Sequence, residues 1–166
     1  MNKKELNDRL KQINSVKVDS ISDSTQLLVE TDLNDYTLKI DCENVLDAQF
    51  ITSPLDEDCL QIFYSDGGGI IVTPNDFVFN VEQNGMIQVD DLPPMCSIRE
   101  MIFGFENYIR NPTPSADSDN NLGLFYLHYY ILKSAIAKGF NIPMLNDLYS
   151  IGEENGFLLE DIDNDR

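Results

Sequence analysis

One imidazole, His128, occurs in the 166 residues, so any Ser-His-Asp or Cys-His mechanism has to run through it. It stands in LFYLHYYIL, among residues that suit a core, and no nucleophile motif such as GxSxG accompanies it. An interior or boundary histidine held by a hydrogen bond is the expectation. The cysteines Cys42, Cys59 and Cys96 are odd in number and lack CxxC spacing, which argues against a disulfide framework and a zinc knuckle alike. They read as reduced, buried thiols. Gly67, Gly68 and Gly69 have no following Lys-Ser/Thr and lie between strand-like runs, where a phosphate cradle needs a helix N-terminus. A hairpin turn accounts for them, because tight turns need positive φ.

Two acidic clusters match half of a calcium loop. Asp117, Asp119 and Asn121 occupy the first three ligand positions, but Leu122 stands where the sharp turn needs Gly and His128 where the bidentate Glu belongs. Asp161, Asp163 and Asp165 repeat the spacing without a completing glutamate. A solvated loop and tail are expected, with no metal and no cofactor. Carboxylate pairs for glycoside chemistry need one acid of raised pKa in a deep cleft, and the chain has no Trp for a sugar platform. No catalytic residue is assigned, and the chain is expected not to be an enzyme.

The acids remain, and there are many. Lys and Arg number 11 against 29 Asp and Glu, for a net charge of −18. Residues 1–17 hold five bases and two acids, residues 18–98 hold Lys39 and sixteen acids, and residues 99–166 hold five bases and eleven acids. Such a surface repels nucleic acid and anionic lipid, which bind proteins chiefly through Lys and Arg, so neither is an expected partner. The first residues alternate charge with leucine where a signal peptide needs an apolar stretch, and the longest uncharged apolar run, residues 122–132, is too short for a bilayer. A cytoplasmic protein is expected.

The elements that must position these residues are legible in the periodicity. Leu6, Leu10 and Ile13 recur at helical steps with Asn2 as a cap, giving a helix over residues 1–14. The period then becomes two, through VKVDSI, TQLLVETD, YTLKIDCE, VLDAQFIT, CLQIFYSD, GIIVTP, FVFNVEQ and MIQVDD. Turns fall at residues 66–69, at Pro74-Asn75-Asp76 and at Asn84-Gly85, so an antiparallel meander of six to eight strands is predicted over residues 16–91. Ser97 and Glu100 form a capping box that opens a helix over residues 98–110. NPTPSADSDNN reads as a loop, LGLFYLHYYILKSAIAKGF as a buried helix, and Pro143 as the start of a last helix ending near Gly152 or Gly156. The whole is one α+β domain: meander, helical part over residues 97–156 on one face of the sheet, and an acidic tail over residues 157–166.

On the strands, Leu27, Val29 and Thr31 with Tyr36, Leu38 and Ile40 are expected inward, which puts Glu30, Asp32, Asp41 and Glu43 on the other face. Asp47, Asp56, Glu57, Asp58, Asp66, Asp76, Asp90 and Asp91 fall at or near strand ends. These twelve acids are the candidate partner-binding residues. Like charges opposed on a sheet repel, and a basic partner would remove that repulsion. The expected function is a non-catalytic acidic inhibitor of a basic, nucleic-acid-handling protein: an immunity protein for a nuclease-like toxin, or a phage or mobile-element inhibitor of a defence enzyme. Literal nucleic-acid mimicry is harder, because duplex DNA carries a charge per ~1.7 Å of axis while alternate strand residues recur every ~6.6 Å. A dedicated chaperone for a secreted protein and a small metal-dependent hydrolase are the alternatives. Charge reversal of Asp41, Glu43 and Asp47 to Lys is expected to spare the fold.

Overall fold

The Asn2 side chain accepts the backbone N–H groups of Lys4 at 2.8 Å and Glu5 at 3.3 Å, satisfying donors that a helix start leaves without partners. The helix it opens, α1 (Lys3–Leu10), buries Leu6 and Leu10 completely, with Ile13 just beyond. The computed structural model describes residues 1–32, 35–52, 58–80, 95–111 and 118–156. Three strands follow, β1 (Val16–Ser20), β2 (Gln26–Thr31) and β3 (Thr37–Asp41). Leu27, Val29, Thr31, Tyr36, Leu38 and Ile40 all point into the core, as the alternation requires.

The strand run breaks at Cys42. There the Asp41 carboxylate accepts the Glu43 N–H and closes a single 3₁₀ turn (Cys42–Asn44), so Cys42 and Glu43 leave the strand in which the alternation places them. The chain is thereby redirected into a second meander, β4 (Val45–Thr52), β5 (Asp58–Tyr64), β6 (Gly69–Val72) and β7 (Phe77–Asn80). After it come β8 (Met95–Ser97), α2 (Ile98–Arg110), α3 (Ser118–Lys138), β9 (Phe140–Asn141) and α4 (Met144–Glu154). The result is α+β with two antiparallel sheets, ordered β1-β2-β3-β9 and β4-β5-β6-β7-β8, in place of the single meander of six to eight strands. β8 and β9 are three and two residues long, too short for a period to show.

Turn and cap chemistry at the described positions follows the sequence. Gly67 takes φ +90° in the β5–β6 hairpin, where the Asp66 carboxylate also accepts the Gly68 N–H. Thr73 closes the β6–β7 turn through its hydroxyl, which accepts the N–H groups of Asn75 and Asp76. The Ser97 hydroxyl accepts the Glu100 N–H at 3.3 Å and starts α2. Helix α3 begins at Ser118, inside the stretch that composition assigns to a loop, and Ser, Asp and Asn are residues that suit a first helical turn. The Asn84-Gly85 turn, the MIQVDD strand and the tail over residues 157–166 lie outside the described residues.

The helices do not share one sheet face. Helix α1 packs on β1 and β2, α2 packs on β7 and β8 and against α3 and α4, and α3 reaches β9. Aromatic rings join α2 to α3: Phe105 stacks on Phe125 at 5.1 Å between centroids and on Tyr129 at 5.9 Å, and Tyr108 stacks on Phe125 at 4.7 Å. One connected hydrophobic cluster runs through both sheets and all four helices. Central strand β6 is buried at every residue, which explains why GIIV is apolar throughout where an outer strand alternates. Among the described residues, no helix is long and apolar enough to cross a membrane.

Candidate functional site

The two sheets meet helix α3 at a cleft of about 340 Å³. Gln26, Lys39 and Asp41 enter from β2 and β3, Asn44 from the 3₁₀ turn, Tyr64, Ser65 and Asp66 from the β5–β6 hairpin, and Lys138 from the end of α3. What brings these elements together is a close backbone approach. The Lys39 N–H donates to the Gly139 carbonyl at 2.9 Å, and Gly139 has φ +120° in a place where a Cβ would run into the Lys39 carbonyl. Glycine is required there on both counts.

The charges in the cleft balance. Lys138 pairs with Asp66 and lies over the Tyr64 ring, 5.2 Å from its centroid. The Lys138 ammonium and then the Gly68 N–H hold the Asp66 carboxyl below the usual carboxylate range. Asp41 Oδ1 accepts from the Thr25 hydroxyl at 2.6 Å and from the Glu43 N–H at 3.1 Å, so this carboxylate is oriented by its own turn. Tyr64 is 6 % exposed, and its hydroxyl has no hydrogen-bond partner among the described residues. Burial, and after it the charge of Asp66, pushes this phenol well above its ordinary pKa. An enclosed hydroxyl without a partner is disfavoured by roughly 1–3 kcal/mol.

Of the twelve acids expected to meet a partner, the cleft gathers Asp41 and Asp66, with Glu43 beside them in the turn. Glu30 and Asp41 do share the outer face of the first sheet. That face also carries Lys17, directly opposite Glu30, and Lys39, opposite Leu28, so it is mixed in charge. Asp32 lies past the end of β2 and pairs with Lys17 at 4.0 Å. Asp47 pairs with Arg9 at 3.7 Å, and hydrogen bonds from Gln49 and the Ala48 N–H, with Arg9, hold its carboxyl below the usual range. Asp58 is exposed at the start of β5. Asp76 is buried and accepts from the Tyr36 and Ser97 hydroxyls and from the N–H groups of Phe77 at 2.7 Å and Arg99 at 3.1 Å. It fastens the first sheet, the β6–β7 turn and the start of α2 to one another, and offers no surface charge. Asp56, Glu57, Asp90 and Asp91 lie outside the described residues.

Asp41 and Asp47 therefore hold local structure, and reversing them disturbs the 3₁₀ turn and the α1–β4 contact as well as the surface. Lys138 and Tyr64 went unassigned in the sequence. Lys138-Gly139 is a legible helix end, but nothing in the spacing links it to Asp66, 72 residues earlier.

His128 is half-buried with its ring against Gly104, where a Cβ would fall 2.6 Å from Nδ1, and it makes no hydrogen bond among the described residues. All three cysteines are buried and none is in a disulfide, with burial raising the Cys42 and Cys96 thiols above their ordinary pKa. Asp117 and residues 161–165 lie outside the described residues, and among those described no three His, Cys, Asp or Glu converge as metal ligands. Comparison of the chain with family models, with curated proteins and with solved structures finds no match.

Proposed function

We propose that the protein is a non-catalytic cytoplasmic binding protein that captures a basic, nucleic-acid-handling partner through surface carboxylates. The single observation that carries this reading is the charge left over after internal pairing. The basic first segment is turned inward in part: the N-terminal ammonium bonds the carbonyls of Cys42 and Val45, Lys3 bonds those of Ile21 and Ser24, and Arg9 bonds that of Ala48, while Lys4, Lys11 and Lys17 are exposed. Arg9, Lys17 and Lys138 also occupy Asp47, Asp32 and Asp66. Asp19, Asp23, Asp35, Glu43 and Asp58 stay exposed and form no ion pair among the described residues. Excess charge of one sign steers an oppositely charged partner and accelerates its capture at low salt. A toxin's immunity protein and an inhibitor of a defence enzyme both meet this description.

Exposed Leu46 and Phe50 on the outer strand β4, 68 % and 47 % accessible, support the second reading, a chaperone that holds an apolar segment. Salt separates the two. The chain is used to capture partners from its host's lysate at about 50 mM and about 500 mM salt, beside the variant carrying Asp19→Lys, Asp23→Lys and Glu43→Lys. The expected result is a basic nucleic-acid-handling protein recovered at low salt only and lost by the variant. Capture that survives high salt would favour the chaperone, and unchanged capture by the folded variant would overturn the carboxylate surface.

A further inference from the structure

Independently of the capture proposed above, we propose that β1 pairs with β1 of a second copy of this chain, antiparallel about a two-fold axis at Val18. β1 is an outer strand of its sheet, five residues long. The Ser15 carbonyl accepts from the Asp32 N–H and the Ile21 N–H donates to the Gln26 carbonyl, so the odd-numbered residues of this strand turn their backbone groups toward β2. Val16, Val18 and Ser20 turn theirs to the open edge. There the Val16 N–H reaches the Ile13 carbonyl at a long 3.4 Å, and the other outward groups bond nothing among the described residues. Such a row of unpaired edge groups is a template for another strand. The other outer strands are poorer templates. On β4 the register shifts between Val45 and Asp47, and the N-terminal ammonium and Arg9 take the carbonyls of Val45 and Ala48. β8 and β9 are three and two residues long.

The side chains select one register. Lys17 and Asp19 are exposed on the outer face, and Val16 and Val18 lie against the core from the other. With Val18 opposite Val18, its N–H and carbonyl exchange bonds with those of the other copy, and the Ser20 N–H reaches the Val16 carbonyl. Lys17 of each copy then stands opposite Asp19 of the other, as a non-hydrogen-bonded pair, where facing side chains come closest. Centring the pair on Lys17 or on Asp19 would oppose like charges instead. Asp19 forms no ion pair within its own fold among the described residues, and here it gains a cation. Away from β1 each copy carries a large negative charge, so long-range repulsion opposes the pairing at low salt.

The test is sedimentation velocity of the full chain at about 150 mM salt, where a Debye length of ~8 Å screens remote charges more than contact pairs. A monomer–dimer equilibrium is expected between about 10 μM and 1 mM, with hydrogen exchange at the Val18 and Ser20 N–H groups slowing as dimer forms. Lys17→Asp and Asp19→Lys, both folded as exposed positions allow, should each weaken dimerisation about tenfold or more. The second should do so although it lowers the net negative charge. Mixed together, the two variants should dimerise, because two anions of one copy then face two cations of the other. A chain that stays monomeric over that range, a dimer that both variants leave unchanged, or no dimer on mixing would each overturn the proposal. So would protection of the Val18 N–H that does not depend on concentration, since the edge would then be covered from within the chain.

Discussion

At Asp76 a surface-looking acid turns out to hold the interior together. Pro-Asn-Asp between two apolar runs reads as a turn, and a turn aspartate reads as solvated; both inferences are sound locally. What decides otherwise comes from far along the chain, since the Tyr36 hydroxyl is 40 residues away and the Ser97 hydroxyl 21. Replacing Asp76 by Ala leaves two enclosed hydroxyls and two backbone N–H groups without their acceptor, and a loss of about 2–4 kcal/mol in folding stability is expected by chemical denaturation. Asn in its place should recover part of that. His128 shows the reverse case, a residue whose core setting was legible while its packing against Gly104 was not. Burial holds its pKa below the ordinary imidazole value of 6.5, so the unfolded chain takes up the proton first as pH falls. Its contribution is complete above that value and is lost as pH drops through 6.5 toward the folded pKa. The denaturation midpoint should therefore be lower at about pH 5.5 than at about pH 7.5, and His128→Gln should flatten the difference.

Elements were legible wherever a period had room to repeat. The α1 and α2 caps, the inward faces of β2 and β3 and the glycine hairpin all follow from local chemistry that the fold leaves in place. The division into two sheets does not, because it depends on one side chain closing one turn at Asp41 and on two-residue β9 adding to the far edge of β3. The outer edge of β4 is managed in a way no pattern announces: the register shifts at Leu46, and Arg9 bonds the Ala48 carbonyl, two devices that discourage pairing with another chain. The junction of α3 with β3 rests on Gly139. Gly139→Ala places a methyl group against the Lys39 backbone and asks for φ +120° of a residue with a side chain. A destabilisation on the order of 2 kcal/mol or more is expected, and with it loss of the hydrogen-exchange protection of the Lys39 N–H, whose acceptor is the Gly139 carbonyl.

Over the whole molecule the charge of −18 acts on stability as well as on encounter, and the two effects have separate signatures. Folding gathers carboxylates that the unfolded chain holds apart, so their repulsion opposes the compact state, and added salt relieves it. Internal pairing by Arg9, Lys17 and Lys138 reduces this term without removing it, since Asp19, Asp23, Asp35, Glu43 and Asp58 remain exposed around the first sheet and at the start of β5. The isolated protein should melt several degrees higher at about 500 mM than at about 20 mM sodium chloride, a shift matching roughly 1–2 kcal/mol for a chain of this size. The variant with Asp19→Lys, Asp23→Lys and Glu43→Lys should start higher at low salt and respond less to salt. If the parent's melting temperature is flat across that range, pairing within the fold already neutralises the surface, and a basic partner has no repulsion to relieve. If the temperature rises with salt and the variant removes the rise, the same carboxylates that oppose folding are those a cationic surface would meet first.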